Sequence, residues 1–199
     1  RLSIDLQAGS VLGLLGRTGC GKTTIGRLIF RLYDVNDWSI KMNGAHINDL
    51  HLDSLRRNVA IVTQDVQLFK ASIRENLTFF DRTISDEKII ATLEELELGD
   101  WYASLPQGLD SVLETGSRSL SAGEAQLLAF TRVFLKNPGL VILDEASSRL
   151  DPATEVKLER AIDKLLKNRT AIIIAHKLDT IQRADDILIL ERGNVLEYG

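Results

Sequence analysis

Eight residues near the start of the chain, Gly16-Arg17-Thr18-Gly19-Cys20-Gly21-Lys22-Thr23, carry glycine, four residues, glycine, lysine and a hydroxyl residue in that order. The spacing suits the cradling of phosphate. Glycines let successive backbone N–H groups turn inward around a phosphate, and a helix that starts at the lysine adds the positive end of its dipole. Lys22 can then bridge the two outer phosphates while the Thr23 hydroxyl ligates Mg2+, with Thr24 closing the loop over residues 16–24. A chance match in a chain of this length occurs in fewer than about one sequence in a hundred. Cys20 reads most simply as a small loop residue.

A second candidate lies far along the chain, where Leu140-Val141-Ile142-Leu143 runs into Asp144-Glu145. An apolar strand in a parallel sheet delivers the residues at its end to the carboxyl edge, the edge that also carries the phosphate loop. Asp144 would hold Mg2+, commonly through water, and Glu145 would orient the attacking water or accept its proton. Two consecutive acids are also an ordinary solvated strand end. The phosphate loop upstream is what favours the functional reading.

The elements that must position these residues emerge from the apolar pattern. Short β-branched runs at 11–15, 59–63, 140–143, 170–175 and 187–190 alternate with helical periodicity at 22–32, 152–166 and 178–184. This predicts an α/β fold with a mainly parallel sheet covered on both faces. Asp151-Pro152 supplies a cap and a first-turn proline for the helix over 152–166. Residues 38–42 and 45–47, joined by Asn43-Gly44, predict an antiparallel hairpin at the edge. From 72 to 136 the strand pattern gives way to amphipathic helices, such as 86–97 with Ile89, Ile90, Leu93 and Leu96 on one side. The expected organisation is therefore one domain over 1–199, an α/β core of 1–71 and 137–199 with a helical subdomain of 72–136 inserted.

Composition excludes several classes. A net charge of −4 argues against a nucleic-acid partner. One cysteine rules out an intrachain disulfide and fits a reducing, cytosolic compartment. No apolar run approaches the roughly 18 to 20 residues that cross a bilayer. The chain opens at Arg1 without methionine, and residues 2–6 already alternate like a strand, so a truncated amino terminus is expected.

Taken together, the motifs resemble the ATP-binding domain of ABC transporters, over essentially the whole chain. Gln64 in Ile61-Val62-Thr63-Gln64-Asp65 resembles the family's Q-loop glutamine, and Leu120-Ser121-Ala122-Gly123-Glu124 its LSGGQ signature. Ser148 and Asp151, in Ser148-Arg149-Leu150-Asp151, resemble the D-loop, and His176 the switch histidine. Ser72-Ile73-Arg74-Glu75-Asn76-Leu77 and Leu105-Pro106-Gln107-Gly108-Leu109-Asp110 resemble exporter members in particular. The resemblance implies a P-loop NTPase core that binds ATP and Mg2+ and hydrolyses ATP. Glu145, His176 and Gln64 would be catalytic, and Thr23, Gln64 and Asp144 would face the metal. It implies a second ATP-binding domain, identical or not, docked head to tail with ATP between one phosphate loop and the other's signature. It also implies transmembrane domains, on the same or another chain, at the cytoplasmic face of a membrane. The adenine-stacking aromatic of the family is absent from residues 1–10 and is expected upstream.

Departures are concentrated in the signature and D-loop. Ala122 adds a methyl to the signature and Glu124 a carboxylate, Arg149 replaces a small residue, and Ser117 interrupts a glycine-glutamate pair. Ser121-Ala122-Gly123-Glu124 is at the same time a capping box. The expectation is a weakened signature half-site. Two rival readings remain: an ATP-gated interaction module with negligible turnover, and a soluble ATPase of the same family acting on nucleic acid or ribosomes.

Overall fold

The computed structural model of this protein describes residues 4–34, 39–113, 120–145, 151–175 and 178–199, the side chains of 178 and 179 excepted. Along the chain run β1 (Val11–Gly16), α1 (Lys22–Ile29), β2 (Lys41–Met42), β3 (Ala45–His46), α2 (Leu52–Asn58) and β4 (Val59–Thr63). Next come α3 (Ile73–Thr78), α4 (Asp86–Glu95), α5 (Gly99–Ala103) and α6 (Ala122–Lys136). The chain then continues through β5 (Leu140–Asp144), α7 (Pro152–Leu166), β6 (Thr170–Ile174), α8 (Leu178–Ile181), β7 (Asp186–Glu191) and β8 (Asn194–Tyr198).

Two compact units share these elements. One comprises Arg1–Thr63, Pro138–Glu145 and Leu166–Gly199, the other Gln64–Asn137 and Ala146–Leu165. The first is built on a six-stranded sheet in the order β4-β5-β6-β1-β7-β8. Every neighbouring pair is parallel except β7 with β8. Val141, Ile142 and Leu143 of β5 are almost wholly buried, as the central strands of a doubly covered sheet require. Leu12 and Leu14 share one face of β1, as Ile172 and Ile174 do on β6 and Leu188 and Leu190 on β7. They form a core with Ile25 and Ile29 of α1 packed against it.

The small antiparallel sheet is the expected hairpin. Asn43 and Gly44 take φ of 50° and 81° between β2 and β3, the positive pair that a two-residue turn needs to match strand twist. Trp38, the expected start of that hairpin, lies outside the described residues. Ile4 and Leu6 fall in no strand and instead pack partly buried against the core.

The second unit is helical. Ser72 and Glu75 cap α3 reciprocally, Ser85 caps α4, and Asn137 at φ 49° ends α6. Leu127, Leu128 and Phe130 of α6 are buried, as are Ile73, Leu77, Ile89 and Leu93 of α3 and α4. No helix among the described residues is long and apolar enough to cross a membrane.

Candidate nucleotide site

The loop between β1 and α1 is a tight cradle held by its own backbone. Gly16 ends β1 at φ 154°, and a Cβ there would stand 2.3 Å from the Leu190 carbonyl oxygen and 2.6 Å from Cys20 Sγ. Only glycine fits this position, because a backbone oxygen cannot rotate away. Cys20 is buried beneath the loop, its N–H donating to Arg17 O at 3.1 Å and its carbonyl accepting from Gly193 N–H at 3.2 Å. Packing thus accounts for the thiol. Arg17, Thr18, Gly19 and Thr24 are exposed, leaving the outer rim of the cradle open to solvent.

Lys22 is 4% exposed, unusual for a lysine. Its ammonium folds back over the loop and donates to Gly16 O at 2.7 Å and Arg17 O at 3.3 Å. The charge is thereby held over the loop by two of the loop's own carbonyl oxygens. One residue on, Thr23 Oγ1 donates to Asp144 Oδ1 at 3.1 Å, joining the start of α1 to the end of β5. Burial pushes the Asp144 carboxyl above its ordinary range; the Thr23 bond opposes this and neighbouring Glu145 reinforces it. A hydroxyl and a carboxylate meeting this way are a hard-oxygen pair suited to Mg2+. No cluster of three or more metal-binding side chains occurs among the described residues.

Glu145 comes immediately after, with φ of 54° and its N–H donating to Ile174 O at 2.9 Å. A non-glycine residue in the left-handed region is costly, and such residues gather at functional sites. The register sets Thr63, the last residue of β4, opposite Asp144, and Gln64 is next in the chain. Asp144 in turn pairs with Ile174. His176 and Ser148 lie outside the described residues.

In the second unit, Ser121 precedes α6 and forms a closed capping box with Glu124. Glu124 N–H donates to Ser121 Oγ at 3.1 Å, and Glu124 Oε2 accepts from Ser121 N–H at 2.8 Å and from the Ser121 hydroxyl at 2.9 Å. Leu120 is half-buried, Ala122 exposed and Gly123 buried. Asp151 caps α7, accepting from Thr154 N–H at 3.0 Å. Those hydrogen bonds to Thr154 hold its carboxyl below the ordinary range.

Sequence reasoning missed a buried cation. Arg132 of α6, 9% exposed, donates to Asn76 O at 2.7 Å, Gln67 O at 2.9 Å and Asn76 Oδ1 at 3.3 Å. Its guanidinium also sits 4.7 Å from the centre of the Phe79 ring. Burial pushes its pKa down to about 10. The segment just after Gln64 is thereby fastened to α6. The available signal was one arginine inside a stretch, 127–135, that is otherwise apolar but for Thr131.

Comparison with known proteins gives consistent matches. The family model described as ABC transporter matches residues 1–148. The "Uncharacterized ABC transporter ATP-binding protein YknV" of Bacillus subtilis strain 168 is 42% identical over 198 residues, covering 100% of this chain and 33% of the relative. The "ATP-dependent lipid A-core flippase" of Pasteurella multocida strain Pm70 is 41% identical over 199 residues, with 34% of the relative covered. A solved bacterial Atm1-family ABC exporter with ATP bound superimposes with a TM-score of 0.88 at 38% identity, over 100% of this chain and 35% of that one. The chain spans about a third of the length of the curated relatives it matches.

Proposed function

This chain belongs to the ABC transporter family, and from that membership we propose that it is the ATP-hydrolysing motor domain of an exporter. The carrying observation is the convergence of Lys22, Thr23 and Asp144 at the carboxyl edge of a parallel sheet, with Glu145 next in the chain. Each group has a task. The Lys22 ammonium exchanges its carbonyl partners for β- and γ-phosphate oxygens, and backbone N–H groups of the loop hold the β-phosphate. Thr23, Asp144 and Gln64 are the residues that would hold Mg2+. Bound Mg2+ supplies neutralisation of the charge that develops on the phosphoryl oxygens. Glu145 orients the attacking water and accepts its proton, and His176 contacts the γ-phosphate.

The reading extends to a partner. ATP is sandwiched between the phosphate loop of one domain and residues 120–124 of a second, docked head to tail with Asp151 at the same boundary. Closure on MgATP and opening after hydrolysis move transmembrane domains at the cytoplasmic face of a membrane. The family membership and the likeness to an exporter solved with ATP bound support this reading. The closed Ser121–Glu124 pair favours a second reading, an ATP-gated interaction module with negligible turnover.

Steady-state ATPase rates of the wild type and Glu145→Gln decide between them. A motor gives a rate that the substitution lowers by about a hundredfold or more, the scale of losing a positioned general base. Equal, near-zero rates at high protein concentration would establish the binding module instead.

A further inference from the structure

Three groups of a single residue meet at the start of α7. The Thr154 N–H donates to Asp151 Oδ1 at 3.0 Å, and the Thr154 hydroxyl bonds the same carboxylate. The same side chain lies against Gly123. A Cβ placed on Gly123 would fall 2.0 Å from Thr154 Cγ2, 2.9 Å from Thr154 Cβ and 3.1 Å from the Thr154 hydroxyl oxygen, so the backbone at 123 rests directly on this side chain. Gly123 is the second residue of α6, between exposed Ala122 and the Glu124 that closes the capping box.

We infer that Thr154 is a positioning residue that locks the signature glycine Gly123 and the boundary aspartate Asp151 at one fixed separation within the same chain. This rests on the reading above, in which residues 120–124 and Asp151 border a nucleotide shared by two domains. The two segments are far apart in sequence and belong to different helices, α6 and α7. Ser121, Ala122 and Asp151 are exposed and Thr154 is only half-buried, so filling a core does not by itself demand so close a fit. The methyl sets the spacing and the polar atoms set the aspartate. Glycine at 123 is therefore needed first for its neighbour on α7, whatever it also offers a phosphate.

A size-exchange experiment in the protein as it is produced in the cell tests this. In a Glu145→Gln background, MgATP-driven self-association is measured for Gly123→Ala, Thr154→Ala and the pair together. Gly123→Ala should weaken association about tenfold, and adding Thr154→Ala should cost clearly less than the two single effects combined, because contacting residues couple non-additively. Additive losses with unchanged melting temperatures would overturn the inference and return Gly123 to a direct phosphate role.

Should Gly123→Ala not fold, two single substitutions ask the same question. Thr154→Ser keeps both bonds to Asp151 and opens the gap at Gly123; Thr154→Val fills the gap and drops the hydroxyl bond. Each should weaken association several-fold while leaving monomer ATP affinity unchanged, a split that general loosening would not give. Wild-type association in both would overturn the proposal. If the Glu145→Gln parent itself does not associate on MgATP, the composite-site reading has failed. Amide exchange at residues 122–125 then judges Thr154 alone: protection lower in Thr154→Ser than in wild type supports the spacing, and equal protection refutes it.

Discussion

In the first turn of α6 the Ser121 hydroxyl donates to Glu124 Oε2 at 2.9 Å while Glu124 N–H donates back to Ser121 Oγ at 3.1 Å. The hydroxyl proton that a partner's phosphate would need is already committed, and to a negative charge. Glu124→Gln keeps the shape and removes that charge. It should tighten MgATP-driven self-association by about tenfold, or ~1.4 kcal/mol, with the gain shrinking as salt rises. Sedimentation at matched low and high salt measures it; an unchanged dissociation constant would sink the idea of a weakened half-site.

Asp144 should cost the empty fold stability. A carboxyl whose folded pKa is raised binds its proton more tightly folded than unfolded, so stability falls as pH climbs from the unfolded value through the folded one. The penalty persists at neutral pH. Asp144→Asn, which can still accept from Thr23, should melt roughly 2–4 °C higher at pH 7 for each kcal/mol relieved. The advantage should fade toward pH 4, while Mg2+-dependent ATP turnover is lost. A variant melting below wild type at pH 7 would contradict this.

The first glycine of the phosphate loop is expected to matter more for folding than the second. Alanine at 16 drives a Cβ into the Leu190 carbonyl, whereas a Cβ at Gly19 meets nothing within 4 Å and suffers only from its φ of 82°. Gly16→Ala should therefore lose about 2–4 kcal/mol and Gly19→Ala about 1–2 kcal/mol. Urea unfolding of both reads the difference, and equal losses would show that the loop yields at Leu190.

Removing the Arg132 guanidinium takes a donor from Gln67 O, Asn76 O and Asn76 Oδ1, of which Asn76 Oδ1 keeps the Phe69 N–H at 2.8 Å. Arg132→Met should destabilise by about 3 kcal/mol, the scale of breaking a charged, buried network. Lysine should recover less than half, since a point ammonium cannot serve three separated acceptors as a planar fork does. Denaturant midpoints for the three proteins test the order.

The parts legible in the sequence share one property: local chemistry dictated them. Ser121 and Glu124 close the capping box their spacing predicts, so that α6 begins at 122, and Asn43-Gly44 makes its turn. β5 delivers Asp144 to Thr23 because an apolar run ending in acids has few other ways to sit in a parallel sheet. The features that sequence did not disclose depend on contacts between distant segments. The strand Asn194–Tyr198 was hidden because all five residues are exposed, which removes the alternation that marks a half-buried strand. The fit of Gly123 on Thr154 has no local signature either. Nor has the grouping of α7 with the helices of residues 64–137, which is set by packing across the chain.

The strand order also governs how the protein is made. β1 leaves the ribosome well before either of its neighbours, because Val11 pairs with Ala171 and Leu12 with Asp186. At about 5–20 residues per second, synthesis separates these partners by roughly ten to thirty seconds. Throughout that interval an apolar strand has neither neighbour, and the loop after it has no Leu190 carbonyl beneath Gly16. The phosphate cradle is thus a late product of folding, complete only once β6 and β7 have followed β1 out of the ribosome.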